Sequence, residues 1–470
     1  MSPIIIVGSG LAGLSAASQI LTHNIPVVML ERGAKPGGNS IKASSGINGV
    51  PTRFQLDSTD SPALFLSDTV TSAGGVFGNS TGSEKMRRQR LVEKLTGSSG
   101  EAVNWLVDEK GVELSRVCQL GGHSCARTHR GKGKLTPGFA IVSSLLESLK
   151  GSPLFEMRVG VRVTGVVKEA EEVVGVEYLS GEESGRVDGP VVFASGGFAG
   201  DARGLLARYR PDLAGIPSTN QAVEGTQPLL ESVGAGLVDM EEVQVHPTGF
   251  VDGGDVEAGV KILAAEALRG EGGILVVGGK RFVNELETRE HVTGVIMRDA
   301  RRLETGTRQW DVQVVLDEGA AAALGSHMDF YLWKGLLKKA AVGELEPELQ
   351  STLRTYAGVV SGETKDEFGR TAFGHWGLRE VTPDAVVYVG QVTPVTHFTM
   401  GGAAIDERSR VLSNQGVPIR GLWAAGEVTG GLHGQNRLGG SSLLECVVFG
   451  RIAGDEAAAF YKSHYSSVQA

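Results

Sequence analysis

The sequence predicts an α/β fold in which a Rossmann-like domain is interrupted by an inserted α+β capping unit, and three observations carry that expectation. The chain opens on an apolar strand, a glycine-rich turn, a helical pattern and a second strand. Glycine- and serine-rich character returns after Thr399, whereas from about Glu241 to His397 the chain holds more charged and aromatic residues. Residues 1–240 and 398–470 are therefore expected to form one discontinuous domain, with 241–397 as the capping, substrate-covering domain.

Pro3 to Val7 is a β-branched run, Gly8-Ser9-Gly10-Leu11-Ala12-Gly13 follows, helical spacing continues through Ile20 and Leu21, and Pro26 to Leu30 is a strand ending at Glu31. A GxGxxG match is weak by itself in a chain with 68 glycines among 470 residues. Set between a strand and a helix, with an acidic residue closing the next strand, it marks a dinucleotide site. Gly8 allows the tight turn, Gly10 lets the backbone approach a pyrophosphate, and Gly13 lets helix and strand pack closely. The helix N-terminus, opened by Leu11 and Ala12, favours phosphate charge. Glu31 is placed to accept hydrogen bonds from ribose hydroxyls, and Arg32 follows it.

The loop from Gly37 to Gly49 offers Gly38, Asn39, Ser40, Ser45 and Gly46 as further cofactor contacts. A mixed helical stretch then runs to about Lys150, Val161–Val167 and Val173–Leu179 pair as strands, and Pro190–Ala194 is another strand. One long helical region around Phe330–Gly358 is expected in the insert. Near the end, the strand Gly421–Trp423 runs into Ala424-Ala425-Gly426-Glu427, and Gly439-Gly440-Ser441-Ser442 opens a helix through Leu443 and Val447. A second helix N-terminus suits the edge of a reduced flavin, which gathers negative charge. FAD rather than NAD is the expected cofactor.

Apolar residues at 41% and charged residues at 21% are ordinary for a globular protein. A net charge of −9 argues against non-specific binding to nucleic acid or to an acidic membrane surface. Cys118, Cys125 and Cys446 form neither a disulfide framework nor a CxxC site, no metal site is expected, and a reducing compartment is implied. The first thirty residues lack a basic leader and are broken by glycines, so cytoplasmic location is expected, a processed mitochondrial form being equally compatible. No apolar run approaches the roughly 20 residues that span a bilayer.

GSGLAGLSAA at 8–17, GGNS at 37–40, GGHSCARTHR at 121–130, HPT at 246–248, AAEALRGEGG at 264–273, ELETRE at 285–290, HFTMGG at 397–402 and AAGEVTGGLHGQNRLGGSSLLECVVFGR at 424–451 occur in one order. Together they make the chain resemble the soluble fumarate reductases, particularly the fungal ones, and more distantly the flavoprotein subunits of succinate dehydrogenase. The resemblance implies that His246, His397 and Arg437 hold the two substrate carboxylates, and that Arg289 delivers a proton beside the carbon that takes hydride. It also implies that Glu266 and Arg269 reprotonate Arg289, and that Glu427, Ser441, Ser442 and Leu443 contact the flavin. The chemistry agrees, because a dianion entering a buried site needs matching cations, and arginine and histidine donate directed hydrogen bonds to carboxylates. His129, Arg127 and Arg130 read either as lining the site or as bracing their loop.

Three departures from the family pattern bear on function. The dehydrogenases attach FAD to a histidine in the first glycine-rich loop, where Asn39 stands here, so non-covalent FAD and a bias toward fumarate reduction are implied. Val223-Glu224-Gly225-Thr226-Gln227 replaces an Ala-Thr-Gly-Asp-Gly turn, and Ala265 replaces a carboxylate-binding threonine of bacterial relatives. With no haem or iron–sulfur motif, the electron donor is expected to be external: reduced flavin, NADH or a reductase partner. Competing readings are a related flavoprotein acting on urocanate, aspartate or a 3-ketosteroid, or a flavin-binding redox sensor without turnover.

Overall fold

In the computed structural model, which describes residues 2–56, 59–133 and 135–465, Ile4–Val7 (β1) is a fully buried strand running into the glycine turn. Leu11–Leu21 (α1) and Val27–Glu31 (β2) complete a parallel β-α-β unit, with Ile4 opposite Val27 and Val7 opposite Leu30. Parallel strands extend the sheet on both sides, Phe155–Val159 beside β2, and Val191–Phe193 then Pro418–Ala424 beside β1. The central strands β1, β2 and Val191–Phe193 are short, nearly all-apolar runs buried throughout, as strands inside a parallel sheet are. The Val161–Glu169 and Glu172–Ser180 strands pair antiparallel at the sheet's far end, as their sequence pattern predicts.

The C-terminal helix Ser441–Tyr465 lies directly on α1. Small residues make that approach possible: a Cβ on Gly450 would sit 2.5 Å from the Ala12 carbonyl oxygen, and one on Gly454 2.7 Å from that of Ala16. The parallel sheet is thus assembled from chain segments more than 200 residues apart, and both helices that begin at the cofactor cleft are locked to each other.

A second, six-stranded sheet is antiparallel throughout; Val243–Phe250 (β3) lies at its edge, and its neighbour Val386–Thr399 (β4) pairs in turn with Val312–Asp317. Its strands alternate between two apolar layers. Leu275, Val312, Val314 and Leu316 pack toward Val292 and Ile296, and Ile274, Val276 and Val315 pack toward Leu349, Leu353 and Tyr356. The first layer belongs to the helix Arg289–Asp299 (α2) and the second to the helix Pro347–Ser361. β4 runs without a break through residues 397 and 398.

The long helix expected around Phe330–Gly358 is not formed. Ser326–Trp333 and Pro347–Ser361 are separate helices, and Lys338–Ala341 between them adds a strand to the edge of β4. Pro347 starts the second helix, and the sheet edge captures the intervening backbone, so tertiary pairing overrides helical propensity. No helix among the described residues is long and apolar enough to cross a membrane, and all three cysteines are free thiols.

The helix contact can be tested directly. Gly450→Val should cost about 2 kcal/mol through overpacking, visible as a lower urea midpoint. Gly151→Ala, where nothing lies within 4 Å of the added carbon, should move stability by less than about 0.5 kcal/mol.

Candidate active site

The cofactor cleft lies at the C-terminal ends of the parallel strands, the usual position for nucleotides in such sheets. It encloses about 1000 Å³ and is lined by Gly8, Glu31, Arg32, Val163, Asp201 and Glu224, among others. Gly8 has φ of +102°, and a Cβ there would meet the Ala194 carbonyl oxygen at 2.4 Å. A Cβ on Gly13 would lie 2.2 Å from the Gly8 oxygen, whereas one on Gly10 would find only Ser40 Oγ at 3.6 Å. Gly10 therefore leaves approach room above α1, whose N-terminus carries no side-chain cap. Leu11 and Ala12 are buried in its first turn, with Leu11 N–H donating to Ser40 Oγ at 3.1 Å.

Glu31 does more than the sequence suggests. Its carboxylate accepts from Ser9 N–H at 3.0 Å, Ser9 Oγ–H at 2.5 Å and Gly33 N–H at 2.6 Å. It braces the glycine turn and retains about one acceptor site for a ribose hydroxyl. Arg32 donates to the Glu224 carbonyl at 2.6 Å, which ties the departed 223–227 turn to the same cleft. Gly38 lies over Gly10 and Asn39 is exposed, taking Lys42 Nζ at 3.2 Å on its Oδ1. Ser45 is half-buried, and Gly46 is pressed against the backbone of His129, 2.5 Å from where a Cβ would be.

At the other end of the cleft, Asn48 donates from Nδ2 to the Gly439 carbonyl at 2.8 Å and to Ser441 Oγ at 3.0 Å. This holds the turn that starts the C-terminal helix, where Ser442 and the buried Leu443 follow. Glu427 Oε1 accepts from Thr399 N–H at 3.0 Å and would lie 2.3 Å from a Cβ on Gly197. Burial raises its carboxyl to about 7, the Thr399 N–H opposing and nearby Glu445 adding to the rise. The residues present thus fit a dinucleotide: a tight glycine cradle and an uncapped helix start border the cleft, and Asn48 braces the start of a second helix packed on the first.

A cationic pocket adjoins it. His246 sits on β3, fully buried. The β3–β4 register gains a residue between His246 and Gly249, a bulge that accommodates Pro247 and its missing N–H. There Thr248 N–H turns back to donate to His246 Nδ1 at 3.2 Å. The same Nδ1 lies 3.2 Å from the Thr248 carbonyl oxygen, and Nε2 is buried without a partner. On β4, Gln244 opposes Phe398 and Val245 opposes Thr396, so His397 is the extra residue of a second bulge. Bulges re-aim side chains, and here the His397 ring comes edge-on to that of His246 with centroids 5.3 Å apart. Burial and the neighbouring Arg289 depress both imidazoles well below their ordinary range, so both are neutral at pH 7.

Arg289 is the first residue of α2, after the N-cap Thr288. A cation is disfavoured at a helix N-terminus, and Glu266 offsets that by accepting from Arg289 Nε at 2.7 Å and from its Nη2. Glu266 also takes Gly121 N–H at 2.9 Å, which accounts for the GGHSCARTHR motif beside the pocket. Burial pushes the Glu266 carboxyl up, but Arg289 and Arg269 outweigh it and bring it down to about 2. Arg437 lies face-on to Phe398, 4.3 Å from the ring centroid, with a buried, unpartnered Nε. Arg269 donates to the Glu285 carbonyl at 2.7 Å rather than to Glu266, leaving its Nε and Nη2 unengaged.

The sequence reading missed Gln244, whose Oε1 accepts from Arg289 Nη1 at 2.9 Å and from Arg437 Nη2 at 3.1 Å. The available signal was strand periodicity, since residues two apart on β3 share a face and Gln244 precedes His246 by two. Asn48 carried no such signal. Arg127 forms ion pairs with Asp60 at 2.7 Å and Asp68 at 2.5 Å, His129 contacts Thr52 Oγ1 at 2.7 Å, and Arg130 pairs with Glu271. All three brace their loop. The Ala265 N–H meets Tyr331 Oη at 3.3 Å. Among the described residues no cluster of His, Cys, Asp and Glu could hold a metal.

A glycine-cradled dinucleotide cleft opening onto a buried pocket of arginine and histidine defines a flavoprotein oxidoreductase. Residues 3–443 match the family described as FAD binding domain. Fumarate reductase 1 of Saccharomyces cerevisiae is 43% identical over 483 residues, covering 97% of this chain and 99% of that protein. Fumarate reductase of Schizosaccharomyces pombe is 41% identical, covering 96% of this chain and 88% of that protein. The solved open conformation of a flavocytochrome c3 fumarate reductase superposes with a TM-score of 0.75 at 29% identity, covering 98% of this chain and 78% of that one. The chain belongs to the fumarate reductase family of FAD-binding proteins.

The Glu427 shift has a consequence for stability. A carboxyl near 7 when folded and near 4.5 when unfolded binds more protons in the native state, so its contribution is lost as pH rises from about 4.5 to 7. Flavin-free protein should lose on the order of 2–3 kcal/mol over that window from this group. Glu427→Gln should flatten the profile in urea titrations at pH 5 and pH 7.5, and an unchanged pH slope would show that the group is not the source.

Proposed function

We propose that this protein reduces fumarate to succinate using non-covalently held FAD and electrons from an external donor. The observation that carries the reading is the buried pocket itself. Arg289, Arg269 and Arg437 gather there, Glu266 is the carboxylate bonded to Arg289, and the buried His246 Nε2 and Arg437 Nε have no hydrogen-bond partner among the described residues. Burying unpaired cations and donors costs several kcal/mol, and a small dicarboxylate offsets that cost by accepting from them.

In this reading, His246, His397 and Arg437 hold the carboxylates. Donation to one carboxylate draws electron density from the far alkene carbon, an electrostatic activation by preorganised groups. FAD, when bound, would supply from its N5 the hydride that this carbon accepts. Arg289 gives a proton to the neighbouring carbon. A free arginine, with pKa above about 12, is a poor acid, so its proton must be replaced in the same event. Glu266 is ionised at rest and bonded to Arg289, so it serves as the relay. Burial lowers the Arg269 guanidinium to about 10, which eases proton supply from that side. The reading treats 241–397 as the capping domain over a cofactor domain of 1–240 and 398–470, and the free thiols suit a reducing, cytoplasmic setting. Reduced flavin, NADH or a reductase partner would serve as donor.

Anaerobically reduced holoprotein should regain oxidised-flavin absorbance on adding fumarate, and not on adding urocanate, aspartate or a 3-ketosteroid. Reoxidation by one of those instead would reassign the substrate, and no reoxidation by any would favour a redox sensor. Arg289→Ala and Arg289→Lys should lose about a hundred- to ten-thousand-fold in turnover while keeping FAD. Acid precipitation should leave the flavin in the supernatant; flavin retained on the polypeptide would contradict the absence of a covalent bond.

A further inference from the structure

Gln244 is 3% exposed and uses both ends of its carboxamide. Oε1 accepts from Arg289 Nη1 at 2.9 Å and Arg437 Nη2 at 3.1 Å, and Nε2 donates to the Arg437 carbonyl at 2.8 Å and Asn436 Oδ1 at 3.1 Å. The orientation of the amide follows from chemistry, since the reverse would set an NH2 group against two guanidiniums. One neutral side chain therefore joins the arginine placed to give a proton to the arginine placed to hold a carboxylate.

We propose that Gln244 is a positioning and specificity-determining residue, a neutral spacer that fixes Arg289 relative to Arg437 without adding a carboxylate, so that the Arg437 charge stays available to a dianion. The inference rests on the fumarate reading. Arg289 has a carboxylate partner in Glu266, whereas among the described residues Arg437 donates to Gln244 and to the Leu438 carbonyl at 3.3 Å and lies on the Phe398 ring, with the Glu445 and Glu427 carboxylates nearby but not hydrogen-bonded to it. Its charge is stabilised by dipoles and a π-face and is neutralised by no hydrogen-bonded anion. A glutamate of the same size would accept the same two bonds and cancel one charge, at the loss of the two Nε2 donations. A methionine of similar length would accept neither bond and cancel nothing. Positioning and charge selection are thus separable by substitution at one site.

The test compares wild-type, Gln244→Glu and Gln244→Met holoenzymes with equal FAD content. Succinate and its monoamide, succinamate, are titrated against the oxidised flavin spectrum, and fumarate kcat and KM are measured. The glutamate variant should weaken succinate at least tenfold and succinamate less than threefold, narrowing the preference for the dianion. The methionine variant should keep that preference within threefold while kcat falls on the order of tenfold to a hundredfold, the scale of a small misplacement of a reacting group. A dianion preference unchanged within twofold in Gln244→Glu, or kcat unchanged within twofold in Gln244→Met, overturns the proposal. If the glutamate variant fails to retain FAD, the kcat of the methionine variant decides alone. Wild-type protein that neither binds succinate nor turns over fumarate overturns the functional reading instead, a separate result.

Discussion

The buried ion pair between Glu266 and Arg289 is the contact on which the pocket depends. Placing several guanidiniums in a volume nearly without water is costly, because each ion loses several kcal/mol of hydration that only close partners restore. Glu266 offsets one of these charges and is itself held by Gly121 N–H. Behind it, Arg281 and Arg370 both pair with Glu285, and Arg370 donates to the Arg269 carbonyl at 2.9 Å. Asp366 also pairs with Arg281, so this outer network has two carboxylates for two guanidiniums, whereas Arg437, beside the two neutral histidines, has no carboxylate bonded to it among the described residues.

Backbone irregularity places the uncharged donors. His246 and His397 each lie at a bulge of the β3–β4 pair, one created around Pro247 and the other at His397 itself. Beside these bulges the two imidazoles meet edge-on, and the Thr248 backbone faces the Nδ1 of His246. Rigid supports are the general requirement for such sites, since a donor misplaced by about 1 Å loses much of its value.

Much of the nucleotide cradle was legible in the residues. Gly8, Gly10 and Gly13 are a local pattern whose meaning follows from the strand before and the helix after. The identity of the cationic residues was legible too, through motifs carried in family order. Gln244 was not, because a glutamine on an apolar strand has no chemical signature until both of its arginine partners, one 45 and the other 193 residues away, are in place. The divided helix at 326–361 escaped for a related reason: its middle segment joins a strand edge contributed by residues 386–389.

By itself, the sequence determined the elements whose physics is short-range: the β-α-β entry, the glycine turns, the helix starts and the supply of arginine and histidine. Tertiary structure alone decided which charges meet, that the Nε2 of His246 is buried without a partner, that Glu31 also braces its own turn, and that Arg269 donates to the Glu285 carbonyl rather than to Glu266. The difference is one of range. Backbone preference and apolar periodicity act within a few residues, whereas a buried charge acquires its partner, its hydration cost and its function only from chain segments that folding brings beside it.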